Sequence, residues 1–233
     1  MNKISFVIPT QDNITSTNLS NVLTELEKEN GYTEITTNVY KFNDVYSLNN
    51  TESTQDIMYV YMNARESRAN KKFVEAIKLF TFCENNITNI FDINIKYEIY
   101  VNLALLNIEI NSSFEIISSF FNKSIEVCPD RAEPYYYFAL YCNQNKQFDT
   151  SYQLLHKALL LSYDNANIKY TNVQKNAYGK FLYDELSVAC YWINKFKEGL
   201  GYIEEIIDDP VFNDKYSRLN DNLHMCKNKL NNL

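Results

Sequence analysis

From residue 57 onward, apolar residues recur at helical spacing, and the stripes come in pairs. Tyr135, Phe138, Ala139 and Cys142 stand at i, i+3, i+4 and i+7, which puts them on one face of a helix. A second stripe follows at Ser151, Leu155 and Ala158, so residues 131–164 read as a helical hairpin with alternating large and small packing positions. The preceding hairpin, from about Glu98 to Arg131, has Ala104, Ile117, Phe121 and Ser124 at the equivalent positions, and Pro129 ends its second helix. An earlier one carries Ala64, Phe73, Ala76, Phe80 and Cys83, with a polar first helix. A later one carries Tyr183, Leu186, Ser187, Cys190, Phe196, Gly199 and Ile203, closed by Asp209-Pro210. Tyr216, Leu219, Leu223 and Cys226 form a last single stripe, expected to be a capping helix that hides the final apolar face.

Sliding the chain on itself by 34 residues superposes Phe121-Asn122-Lys123-Ser124 on Leu155-His156-Lys157-Ala158. That period is the one found in tetratricopeptide repeats. The expected fold is therefore mostly α: a tetratricopeptide-like α-solenoid of about four hairpins and a cap, in which each hairpin buries its face against its neighbours. Residues 165–180 break the period. This insertion is expected at one edge of the array, either as a loop or as an extension of the next helix with Thr171 or Asn172 as N-cap.

Residues 1–45 differ in kind. Ile4 to Pro9 reads as a strand, Leu19, Val22, Leu23 and Leu26 as an amphipathic helix closed by Gly31, and Thr33 to Phe42 as a second strand. Such a β-α-β segment is too small to stand alone, so it must dock, pair with another chain or stay loose. Residues 46–56 read as a polar linker to the repeat domain at 57–233.

Composition narrows the function classes. A net charge of −7 disfavours binding to a phosphate backbone, so nucleic acid is not an expected partner. The apolar run from Ile4 to Pro9 is too short for a membrane span or a signal-peptide core, and the expectation is a protein of the cytoplasm with no membrane partner. The five cysteines show no C-x-x-C spacing, and Cys83, Cys142 and Cys190 fall on packing positions, which makes them structural thiols. His156 and His224 lack ligand-spaced companions, and no metal or other cofactor is expected. The acidic pairs Asp184-Glu185, Glu204-Glu205 and Asp208-Asp209 read as solvated faces or caps. No glycine-rich phosphate loop or nucleophile elbow is present, so the chain is not expected to be an enzyme.

Repeat geometry directs Tyr61, Arg65 and Arg68 of the first hairpin, Asn102 of the second, Tyr136 and Asn143 of the third, and Asp184 and Tyr191 of the fourth toward a concave groove. Aromatic and Arg side chains anchor protein partners, so this set is the candidate surface for a protein or peptide, the alternative being a hydrated surface without a ligand. Tyr135, by contrast, is expected between hairpins.

The run "RAEPYYYFALYCNQNKQFDTSYQLLHKALLL", then "YDELSVACYWINKFKEGLGYIEEIIDDP", then "RLNDNL" resembles the helical module that trails the catalytic domain of family-2-type glycosyltransferases of bacteria and giant DNA viruses. "KISFVIPT" is similar to the first strand of those enzymes. Gln11-Asp12 replaces the usual Tyr-Asn, however, and neither Asp-Asp-Gly-Ser nor Asp-x-Asp follows. The resemblance thus implies a relative that kept the helical half and lost the catalytic domain, in the host cytoplasm if viral. Two functions follow as expectations: a non-catalytic scaffold that binds a partner through the concave face, or an accessory or degenerate glycosyltransferase-related protein. A homo-oligomer formed through the N-terminal segment is a third arrangement the sequence allows.

Overall fold

The computed structural model describes residues 4–6, 35–37 and 54–232. The chain divides into two compact units, 1–59 and 60–233. In the first, β1 (Ile4–Phe6) and β2 (Ile35–Thr37) pair in parallel, with Ile4 opposite Ile35 and Phe6 opposite Thr37. Both lie within the stretches expected as strands. The helix expected around Leu19 to Leu26 lies outside the described residues. Helix α1 (Thr54–Ala69) begins inside the stretch expected as linker and continues into the second unit.

The second unit is helical. After α1 come α2 (Phe73–Asn85), α3 (Ile93–Glu109), α4 (Phe114–Val127), α5 (Glu133–Gln144), α6 (Phe148–Leu159), α7 (Tyr163–Lys169), α8 (Tyr183–Trp192), α9 (Phe196–Ile206) and α10 (Tyr216–Asn231). Pairs α3–α4, α5–α6 and α8–α9 pack most extensively, and α2 on α3, α4 on α5 and α6 on α8 join one hairpin to the next.

One turn recurs in all four hairpins. Lys71, Asn111, Lys146 and Asn194 each adopt a left-handed conformation, with φ of 59°, 54°, 60° and 62°. The next N–H then reaches back five residues: Lys72 to Ser67, Ser112 to Asn107, Gln147 to Cys142 and Lys195 to Cys190, all at 2.8–2.9 Å. This is the Schellman closure, which satisfies carbonyls left over at a helix end. Its spacing is 40, 35 and 48 residues, from the positions 71, 111, 146 and 194. The first interval is lengthened around the 3₁₀ turn Ile87–Asn89, and the last contains the insertion.

The apolar stripes are buried where the pattern puts them. Ala64, Ala76, Phe80, Cys83, Ala104, Ile117, Phe121, Ala139, Cys142, Leu155, Ala158, Leu186, Cys190 and Ile203 are all fully buried. Each large side chain among them contributes roughly 1.5–3 kcal/mol. Phe121 of α4 stacks on Phe138 of α5 at 5.2 Å, welding two hairpins. Gly199 lets α9 approach α8 closely, since a Cβ there would lie 2.9 Å from Cys190 Cβ. At the far end, Leu219 and Cys226 of α10 are buried against Ile203 and Ile206. Tyr216, expected on that stripe, is instead half exposed, and Phe212 from the preceding 3₁₀ turn (Pro210–Lys215) is buried in the same cluster.

The insertion departs from both arrangements expected of it. Helix α7 is followed by extended chain, then by 3₁₀ turns at Lys175–Ala177 and Gly179–Leu182, and α8 starts only at Tyr183. Asn172 is no N-cap: it has φ of 56° in mid-crossing. The crossing runs over the starts of α3 and α5, where Asn94 and the buried Arg131–Glu133 pair bind its main chain.

Candidate functional site

The candidate residues fall into two groups and an outlier. In the first group, the Tyr61 hydroxyl on α1 donates to the Glu98 carboxylate on α3, and Arg65 Nε lies 4.0 Å from the same carboxylate oxygen. One turn later, Arg68 donates to Asn102 Oδ1, while Asn102 Nδ2 donates to the Glu98 carbonyl at 2.6 Å. Burial and the neighbouring Glu98 carboxylate push the Tyr61 hydroxyl well above its ordinary range, so it serves as a donor only. Burial lowers the Arg68 pKa.

The second group lies where α5 meets α8. Asn143 Nδ2 donates to Glu185 Oε2 at 2.9 Å and to the Glu185 carbonyl at 3.2 Å. Asp184 is completely buried and Glu185 nearly so. Arg218 Nη2 from α10 lies 3.2 Å from Asp184 Oδ1 and 3.0 Å from Glu185 Oε1, and Lys215 Nζ lies 3.2 Å from Asp184 Oδ2. Distance and geometry disagree at Asp184: both oxygens are in ion-pair range, yet neither accepts an aligned hydrogen bond. The interaction there is coulombic attraction between poorly aligned groups. Desolvation disfavours charge on Arg218, but Glu185 and Asp184 outweigh it and its pKa is raised. Burial, then the charges of Glu185 and Asp184, push Tyr136 up to about 12.

Asp184-Glu185 is therefore neither a solvated face nor a cap. Adjacent carboxylates diverge on a helix, but a guanidinium entering from α10 spans both. Asp209 does cap, accepting from Val211 N at 3.0 Å, and Glu204-Glu205 is exposed. Tyr191, the outlier, packs edge-on against Trp192 and Phe196, each at 5.5 Å between ring centroids.

Of the eight candidates, Tyr61, Asn102 and Asp184 are buried in contacts between hairpins. Arg65 is half exposed, and Arg68, Tyr136 and Asn143 are partly so. The accessible chemistry of the two groups is thus two guanidiniums, a phenol and an amide, with Arg65 beside the Glu98 carboxylate, Arg68 on Asn102 and Asn143 on Glu185.

Two constellations were not legible in the sequence. The first binds the insertion. Arg131, before α5, donates to Glu133 Oε1 at 2.7 Å through Nη2, and its guanidinium carbon lies 3.9 Å from the Tyr97 ring centroid. Both charged side chains are almost completely buried, at 3% and 1% exposure. Burial disfavours the Arg131 cation, but the hydrogen bond to Glu133 outweighs it and the pKa rises. Glu133 also accepts from Tyr178 OH at 2.9 Å and from Gln174 N at 3.0 Å. The second joins α6 to α9. Glu198 accepts from Tyr152 OH at 2.9 Å and Tyr202 OH at 3.3 Å, His156 Nε2 lies 3.1 Å from it, and Lys195 Nζ reaches Tyr152 OH at 2.6 Å. No spacing rule connects His156 to Glu198, since their contact depends on hairpin packing.

Among the described residues, no group of three or more His, Cys, Asp and Glu side chains could hold a metal ion, and no helix is long and apolar enough to cross a membrane. No disulfide joins the five cysteines, and all are buried. Burial raises every one of these thiols, to about 11 at Cys128 and about 12 at Cys83, Cys142 and Cys190. The sequence matches no protein-family model and no curated protein at a significant level.

Proposed function

We propose that the chain is a non-catalytic protein-interaction scaffold, a tetratricopeptide-like α-solenoid that binds a protein or peptide through the face carrying Arg65, Arg68, Tyr136 and Asn143. The observation that carries this reading is the fourfold Schellman turn, with its 6→1 hydrogen bonds at Ser67, Asn107, Cys142 and Cys190. Repetition of one hairpin closure is the mark of stacked units, and stacked helical units present long faces suited to protein partners. The half-exposed Arg65 and the partly buried Arg68 favour a partner with acidic or carbonyl-rich chemistry. The buried thiols suit the reducing cytoplasm, of the host if the chain is viral. Affinity capture with the wild type and with Tyr136→Ala/Arg65→Ala tests the reading. Partners lost by the double variant support it, and partners retained equally by both place binding elsewhere.

A second reading follows from the parallel pairing of β1 with β2. Ile4–Phe6 lies in the segment that resembles the first strand of family-2-type glycosyltransferases, which favours an accessory or degenerate member of a glycosylation system. A nucleotide sugar with Mn²⁺ would then raise the melting temperature of the full chain, because a ligand specific to the native state stabilises it. An unchanged melting temperature at saturating concentrations removes that reading.

A further inference from the structure

The insertion meets the helices partly through its main chain, which is bound by Asn94 and by the buried charged side chains of Arg131 and Glu133. Tyr170 is extended, with φ −125° and ψ 158°, and Gln174 is extended at φ −97° and ψ 108°. Between them, Thr171 N–H donates to Asn94 Oδ1 at 3.0 Å. The carbonyls of Thr171 and Asn172 accept from Arg131 Nη1 and Nη2 at 3.2 and 3.3 Å, and Gln174 N–H donates to Glu133 Oε1 at 3.0 Å. The Tyr137 hydroxyl donates to the Gln174 side-chain carbonyl. Thr171, Asn172 and Gln174 are exposed residues, and Asn172 Nδ2 lies 3.5 Å from Glu98 Oε1.

This is the chemistry of a peptide-binding site. Two main-chain N–H groups and two main-chain carbonyls are matched by side chains of the helices, and a carboxamide is read by one phenol. The matching groups come from α3, from the turn before α5 and from α5 itself, and they adjoin the face of Glu98 and Arg68 described above. The segment is anchored at its ends by buried Tyr170 and Tyr178, and between them Val173 packs against the apolar core while residues 171, 172 and 174 are held by polar contacts. We infer that Asn94, Arg131, Glu133 and Tyr137 form a site for a peptide of a partner protein, with a left-handed turn at the position of Asn172 and a carboxamide side chain at the position of Gln174, and that residues 171–174 occupy this site in cis. The inference rests on the interaction-scaffold reading and adds to it the kind of partner and the reason an isolated chain binds it weakly: the partner must displace the strap.

The probe is a fluorescein-labelled synthetic peptide spanning residues 168–176, titrated by fluorescence anisotropy against the full chain. Thr171→Pro/Gln174→Pro removes both strap N–H donors without touching Asn94, Arg131, Glu133 or Tyr137. The expected result is at least tenfold tighter peptide binding by this variant than by wild type, reduced again by adding Tyr137→Phe. Equal binding by wild type and by a variant with native circular dichroism overturns the inference. Should the variant not fold, native-state hydrogen exchange on the wild type decides. Release of the strap in the folded chain requires the amides of Thr171 and Gln174 to exchange at least 100-fold faster than that of Leu186. Exchange of all three at one global rate overturns the inference. Neither failure touches the groove-variant capture, so the scaffold reading stands or falls separately.

Discussion

Removing the Glu133 carboxylate strikes the polar centre on which the insertion rests. Its oxygens accept from Arg131 Nε and Nη2 at 3.4 and 2.7 Å, from Gln174 N and from Tyr178 OH. Glu133→Ala therefore leaves a guanidinium of 3% exposure without its counter-charge, stacked on Tyr97 and unable to reach water. Breaking a buried ion pair from one side costs about 3–5 kcal/mol. With a urea m-value of about 2 kcal/mol/M, a loss of about 4 kcal/mol lowers the denaturation midpoint by roughly 2 M. The control is Arg131→Met/Glu133→Leu, which removes both charges and fills the volume with apolar atoms. It is expected to lose less than the single variant, since no orphaned charge remains. Urea unfolding followed by far-UV circular dichroism measures both. A loss below about 1 kcal/mol for Glu133→Ala, or a larger loss for the double variant, would refute the reasoning.

Gly199→Ala should destabilise by about 1–3 kcal/mol in the same assay, because the new Cβ meets Cys190 Cβ at 2.9 Å and the Ser187 carbonyl at 3.2 Å, neither of which can swing away. Lys146→Gly should stabilise by up to about 1 kcal/mol, since an exposed residue at φ 60° is strained with a Cβ and relaxed without one; a loss of stability would mean that the lysine side chain contributes more than the turn strain costs. A thiol reagent such as Ellman's should find no reactive cysteine in the native chain and five after denaturation, given full burial and raised thiol pKa values. At Glu198 burial acts upward, but donors from Tyr152, Lys195 and His156 outweigh it and lower the carboxyl pKa. The unfolded chain then binds more protons at acidic pH. The stabilisation is complete above the ordinary value of 4.5 and fades as pH falls through the lower folded value, so Glu198→Gln should flatten the acid limb of stability against pH.

The hairpins were legible because burial on a helix has a period and the chain repeats it. Tyr135, Phe138, Ala139, Cys142, Ser151, Leu155 and Ala158 are all buried, as their spacing required. The turns were not legible by the usual rule, which looks for glycine at the left-handed position. Lys and Asn occupy all four sites, and Asn adopts that conformation at reduced cost through its short polar side chain. The polar constellations escaped for another reason. Arg131 to Asn172, His156 to Glu198 and Arg218 to Asp184 are contacts between hairpins, and their sequence separations depend on the length of the insertion. A period finds residues that repeat, whereas these residues occur once.

The broken period bears directly on the face where a partner was expected. An ordinary repeat would place α8 one unit after α5, and α8 does pack on α5 and α6, so residues 163–182 are surplus to the stacking. Surplus chain costs conformational entropy to order, and only contacts can offset it. Here the offset comes from burial of Ala166, Tyr170, Ala177, Tyr178 and Leu182 in the core and from Arg131 and Glu133, two charges that would be costly to bury if they bound nothing. The apolar stripes join α4 to α5 and α6 to α8, and Arg131 adds a guanidinium stacked on Tyr97 of α3. The pair and the strap thus explain each other, and Arg131 and Glu133 mark a place where non-helical main chain is bound in the folded protein.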